Sequence, residues 1–123
     1  MTLKSITTSP DRIALVEAEC HGILKSRPYD LAALRRLKMC QWLASDFEAI
    51  IETSSRILES DPADADALYS RALARLALTD IEGCLQDLDL AESATTDMRM
   101  KATLAEARSS AEHAREIREG RFA

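Results

Sequence analysis

Residues 28–61, PYDLAALRRLKMCQWLASDFEAIIETSSRILESD, and residues 62–95, PADADALYSRALARLALTDIEGCLQDLDLAESAT, decide the fold when one is laid on the other. Pro28 falls on Pro62, Asp30 on Asp64, Ala33 on Ala67, Leu34 on Leu68, Asp46 on Asp80 and Glu48 on Glu82, which makes six identities in 34 positions. Met39 with Leu73, Ser45 with Thr79, Phe47 with Ile81 and Ile51 with Leu85 are conservative matches. The matches gather at helix boundaries and apolar positions, where a repeated supersecondary unit constrains its sequence.

Each unit reads as two helices. Asp30 and Asp64 stand where an N-cap is needed, two residues after a proline that cannot continue a preceding helix. Leu31, Leu34 and Leu37 in one unit, and Ala65, Leu68 and Ala72 in the other, give an apolar stripe at spacings of three and four. A turn at Ser45-Asp46 or Thr79-Asp80 ends the first helix, and its aspartate caps the second. Phe47, Ile50, Ile51 and Ile57, then Ile81, Cys84, Leu85, Leu88 and Ala91, supply the second stripe. Small residues at Ala49, Gly83 and Cys84 admit close approach of the paired helix. Neither pair has enough apolar surface to stand alone, so the units must stack.

The flanks continue the scheme. Ser9-Pro10 is a helix start, and Ile13, Val16, Cys20 and Ile23 follow the second-helix stripe, so residues 10–27 read as a half-repeat. After Asp97, Leu104, Ala107, Ala111, Ala114 and Ile117 mark a long charged helix that closes the stack. The expected organisation is all-α, with about six antiparallel helices in one domain over 10–123. A flexible start at 1–9 precedes a half-repeat at 10–27, repeats at 28–61 and 62–95, and a capping helix at 96–119.

Composition narrows the function. Three glycines, three prolines and five aromatics in 123 residues exclude turn-rich β folds. Hydrophobic residues at 46% beside 30% charged ones exclude disorder over most of the chain. No apolar run reaches the length of a membrane span, and Met1 to Pro10 holds no signal-peptide core. The formal charge of −5 argues against nucleic acid as a partner. That charge is uneven, at +3 over 1–39, −10 over 40–98 and +2 over 99–123. No Lys or Arg lies between Leu76 and Met98, so this stretch reads either as a solvated convex face or as an acidic docking surface. Cys20, Cys40 and Cys84, odd in number and set in apolar surroundings, suit buried thiols of a cytoplasmic protein. His21 and His113 stand apart, and no metal-ligand spacing, catalytic constellation or glycine-rich phosphate loop is present. The reading is a protein with no cofactor, no metal and no enzymatic activity.

The 34-residue interval, Asp61-Pro62, and the run from Ala67-Leu68-Tyr69-Ser70-Arg71-Ala72 to Asp80-Ile81-Glu82-Gly83-Cys84-Leu85 resemble the tetratricopeptide repeat (TPR) family. Ser45 and Thr79 stand where that family places a turn glycine. The resemblance covers about residues 10–118 and implies a short right-handed superhelix whose first helices line a concave groove that holds a partner peptide or helix. It places Arg35, Met39 and Trp42 from the first repeat, and Tyr69, Ser70, Leu73 and Leu76 from the second, on or near that groove. Trp42, the only tryptophan, is either a binding anchor or the filling of a helix junction. Arg35, Arg36 and Lys38 either receive an acidic ligand or are solvated surface. The carboxylate clamp of some TPR proteins is largely missing, because Met39 and Ser70 stand where its asparagines would be.

Residues 37–118 are also similar to the last repeats of TPR-containing J-domain co-chaperones, without a His-Pro-Asp motif. The resemblance implies a protein-interaction module, scaffold or co-chaperone. The alternative is a small dedicated chaperone of a secretion system or assembly, holding one client helix. The expected partner is another protein, with no nucleic acid and no membrane, and the chain a monomer or weak homodimer. For self-association, the seam of Leu104, Ala107, Ala111 and Ala114 and the uncovered first helix are the candidates, unless residues 1–9, with Leu3 and Ile6, fold over that helix.

Overall fold

Five of the six helices begin on an aspartate. The computed structural model describes residues 10–121, and among these it contains α1 (Pro10–Ser26), α2 (Leu31–Leu43), α3 (Phe47–Ser60), α4 (Ala65–Ala77), α5 (Ile81–Ala94) and α6 (Met98–Arg118), with no strand. Asp30, Asp46, Asp64 and Asp80 each accept a hydrogen bond from the backbone N–H three residues on, at 2.9–3.3 Å, and Asp97 accepts one from Arg99 at 3.0 Å. These carboxylates satisfy donors that have no partner inside the helix and meet the positive end of its dipole. The readings for residues 1–9, Leu3 and Ile6 included, lie outside the described residues.

The helix boundaries keep the 34-residue interval. α2 and α4 start at Leu31 and Ala65, and α3 and α5 start at Phe47 and Ile81. α1, α3 and α5 end at Ser26, Ser60 and Ala94, so α1 is in register with the second helices of the repeats. α6 follows α5 as α4 follows α3 and takes the place of a further first helix. Each helix packs on the next in sequence, and α4 also touches α6. Helices joined by such short turns and packed on their neighbours form a row of hairpins, all-α as the periodicity predicts.

The turns repeat as well. After α2, the N–H of Asp46 bonds the carbonyl of Gln41 at 3.0 Å, and after α4 that of Asp80 bonds Arg75 at 2.8 Å. The residues before them, Ser45 and Thr79, have φ of 54° and 66°. This is the helix-ending motif that places one residue in the left-handed region, normally a glycine. Gly120 takes that conformation after α6, at φ 70°, with Arg121 bonding Glu116 at 3.0 Å.

The core runs through every hairpin. Cys20 of α1, Leu34 and Leu37 of α2, Ile57 of α3, Leu68 and Ala72 of α4, Cys84 and Leu88 of α5, and Leu104 and Ala111 of α6 are buried. Two stripe positions depart from the expected pattern. Leu31 is 48% exposed, because the face that α2 turns inward is Ala33, Leu34, Leu37, Lys38, Cys40 and Gln41. Ile117 is 55% exposed, so the packed face of α6 ends before its last turn. Leu104, Ala107 and Ala111 are buried within the chain, which takes the heptad-like seam out of contention as a free dimer surface.

Burial pushes the Cys20 and Cys40 thiols up. Burial and the neighbouring Asp87 push the Cys84 thiol up to about 11. All three are free thiols held in the unreactive, protonated form near neutral pH.

Candidate functional site

α2 and α4 lie side by side in the row, and their exposed edges enclose a groove of about 460 Å³. Arg35, Met39 and Trp42 line it from α2, and Tyr69, Ser70 and Leu73 from α4. Arg35, Met39 and Trp42 are four and three residues apart, and Leu73 follows Tyr69 by four and Ser70 by three, helical spacings that bring each set onto one side of its helix. Six of the seven predicted groove residues therefore meet. Leu76, the seventh, does not line the groove; it packs, partly buried, against the core.

Trp42 fills a helix junction and also lines the groove. Its ring borders the groove, and its edge meets Phe47 of α3 with centroids 6.0 Å apart and planes at 78°. That packing fixes the indole and lowers the entropy a ligand contact would otherwise lose. Met39 is 60% exposed beside it and supplies an adaptable apolar surface. Burial raises the Tyr69 hydroxyl above its ordinary pKa, so it remains a neutral donor.

The basic trio is paired within the chain; Arg35 and Arg36 keep exposed side chains, and only Lys38 is buried. Arg35 donates to Asp64 and, at 3.1 Å, to Asp66 of α4. Lys38, almost wholly buried, donates to Asp66 at 2.5 Å. Arg36, one residue and about a quarter turn from Arg35, leaves the groove and meets Glu19 of α1 at 3.5 Å. The groove is thus close to charge-balanced and mainly apolar. A carboxylate ligand there must displace Asp66, whose side chain is 54% exposed. Lys38 and Asp66 were missed as groove residues; Asp66 lies one turn before Ser70, and that spacing was the available signal.

In the acidic stretch, Asp80, Glu82, Asp89, Glu92 and Asp97 are exposed as a solvated surface requires, and Asp87 alone departs from that reading. Asp87 is 1% exposed and sits between α4 and α5. It accepts two hydrogen bonds from Arg71, at 3.0 and 2.7 Å, and one from Arg75 at 2.9 Å. Arg71 extends the network to the Ser55 hydroxyl of α3 at 3.1 Å. Asp89 and Glu92 receive Arg108 of α6, and Glu82 receives Arg118. Four of the six carboxylates between Leu76 and Met98 thus join helices, which leaves no continuous free acidic face.

A smaller polar hollow of about 220 Å³ lies between α1, α2 and α3, with Glu17, His21, Glu52 and Arg56 on its wall. The carboxamide oxygen of Gln41, which also lines it, has no hydrogen-bond partner in the protein. Among the described residues, no group of three or more His, Cys, Asp or Glu is placed to hold a metal ion, and no helix is long and apolar enough to cross a membrane.

No protein-family model matches this chain, and no curated protein is significantly similar to it. The functional argument therefore rests on the groove and on the internal repeat.

Proposed function

We propose that the chain is a TPR-type protein-interaction module that holds a peptide or helix of a partner protein in the α2/α4 groove. The observation that carries this reading is the convergence of Trp42, Tyr69, Met39 and Leu73 on one open groove built from the first helices of two 34-residue units. Tryptophan and tyrosine dominate binding hot spots because they bury a large area at small entropic cost. The balanced charge of Arg35, Lys38, Asp64 and Asp66 favours an amphipathic ligand led by apolar anchors over a bare acidic tail. A cytoplasmic location belongs to the same proposal, supported by three buried free thiols.

The test is affinity capture from native extract with the wild-type chain and a Trp42→Ala/Tyr69→Ala variant, followed by titration of the captured partner. Binding at micromolar strength, about −8 kcal/mol, is expected for the wild type and a loss of at least tenfold for the variant. An unchanged affinity in a variant with wild-type helicity rejects the groove.

A further inference from the structure

The 34-residue register lays the polar hollow between α1, α2 and α3 on the charge network one repeat further on. His21, Leu37, Gln41, Asp46 and Thr53 fall on Ser55, Arg71, Arg75, Asp80 and Asp87. In the second repeat these side chains close the junction. Asp87 holds both arginines, Arg71 reaches Ser55 at 3.1 Å, and Arg75 lies 3.9 Å from Asp80. In the first repeat Leu37 and Gln41 stand in the places of the two arginines, and the junction keeps an open hollow of about 220 Å³.

The walls of that hollow call for a cationic donor. Gln41 lines it at 7% exposure, and its buried carboxamide oxygen has no hydrogen-bond partner in the protein. An acceptor left unpaired in the interior is costly. Glu17, Asp46 and Glu52 bring three carboxylates to the walls, against one guanidinium, Arg56. Among the described residues, Glu17, Glu52 and Arg56 form no ion pair, so the two glutamates are not neutralised within the chain. A water needs only about 10–15 Å³ of such space, so the hollow has room for a larger group.

We propose that this hollow binds one guanidinium or alkylammonium group, carried by an arginine or lysine side chain of a partner protein or by a small free cation. The bound group takes the place that Arg71 and Arg75 fill in the second repeat. It donates to the Gln41 carboxamide and lies between the carboxylates of Glu17 and Glu52, in charge-assisted hydrogen bonds that are stronger than neutral ones. The hollow shares no lining residue with the α2/α4 groove, so each can be disabled without the other.

The test is an NMR titration of the full isotope-labelled chain with N-ethylguanidinium and n-butylammonium, and with N-ethylurea as an uncharged isostere. The cations should shift the Gln41 side-chain amide and the Thr53 backbone amide saturably, with Kd of about 1–10 mM, and ethylurea should not. Glu17→Gln/Glu52→Gln should weaken binding about fivefold, and Arg56→Gln should strengthen it about twofold by removing a competing cation. Gln41→Arg supplies the residue of the second repeat and should abolish binding with no fall in the thermal midpoint. Trp42→Ala/Tyr69→Ala should leave binding unchanged, which separates this site from the function proposed above. A blocked Gly-Arg-Gly peptide that binds more tightly than ethylguanidinium assigns the group to a partner's side chain, and weaker binding assigns it to a free cation.

The proposed site is overturned if no saturable shift appears below about 50 mM, or if ethylurea binds as well as the cations. Wild-type affinity in Glu17→Gln/Glu52→Gln of unchanged helicity, or binding that survives Gln41→Arg, overturns it as well. Saturable binding seen only in Lys4→Gln would make the chain's own lysine the occupant and overturn it too.

Discussion

At one end of the helical row, α6 lies over α5 and is fastened by charge: Arg108 to Asp89 and Glu92, and Arg118 to Glu82. Beneath it, Leu104 and Ala111 are fully buried, and Asp87 ties α4 to α5 through two arginines. At the other end, α1 leaves Ile13 and Val16 half-buried, and the ion pair of Arg36 with Glu19 is long and exposed. The same repeated unit is thus closed by ion pairs at one end and left apolar at the other. An end covered by charged side chains resists further stacking.

The largest expected effect lies in the closed half. Asp87→Ala leaves Arg71 and Arg75, whose side chains are only 18% and 25% exposed, without their shared carboxylate. Breaking a buried pair by removing one partner costs about 3–5 kcal/mol, and the partial exposure of the arginines places this one near 3. Urea denaturation should show that loss, with Asp87→Asn between the variant and the wild type. Arg36→Ala at the open end should shift stability by less than about 0.5 kcal/mol. Equal losses at the two sites would erase the distinction between the ends.

A gain is expected at the turns, one in each half. Thr79 is β-branched and held at positive φ, and Ser45 is unbranched in the same conformation. The left-handed region costs an L-residue about 1–2 kcal/mol relative to glycine, while glycine adds freedom to the unfolded chain. The Thr79 hydroxyl also donates to the Leu78 carbonyl at 2.6 Å, and glycine removes that bond. The balance is a gain of about 1 kcal/mol for Thr79→Gly and about half that for Ser45→Gly, read as rises in the thermal midpoint. A loss at either site would mean that the side chain supports its turn more than the backbone strains it.

Much of this arrangement was legible in the sequence. Asp30, Asp46, Asp64 and Asp80 announce four helix starts, because a short carboxylate before an apolar run has few other reasons to recur at 34 residues. The groove residues came from the resemblance to TPR repeats rather than from the periodicity, and those that meet do so because side chains three and four apart share a helix side. Leu76 fell outside the groove because the alternation of three and four drifts around the helix as the segment lengthens. The charge network was not legible. Asp87 sits among five other carboxylates, and only the packing of α4 on α5 decides which of them is buried. Arg36 and Arg35 are neighbours in sequence but face opposite helices, and no local pattern tells which carboxylate each one finds.

The smallest effect tests the outermost fastening of the closed end. Arg118 donates to both oxygens of Glu82, at 3.1 and 2.5 Å, and this contact, with a backbone hydrogen bond, lowers the Glu82 pKa from 4.5 to about 2. A folded-state pKa below the unfolded one means that the pair stabilises fully above about pH 4.5 and loses its effect as the pH falls towards 2. Both side chains are well exposed, so the change in stability is small and fades with salt. The titration of the carboxyl carbon by NMR is the sharper measurement. Glu82 should remain ionised at pH 3.5, below the ordinary glutamate range, and Arg118→Ala should return it to that range. If Glu82 titrates in the ordinary range in the wild type, the last turn of α6 is not held to α5, and the closed end stops at Arg108.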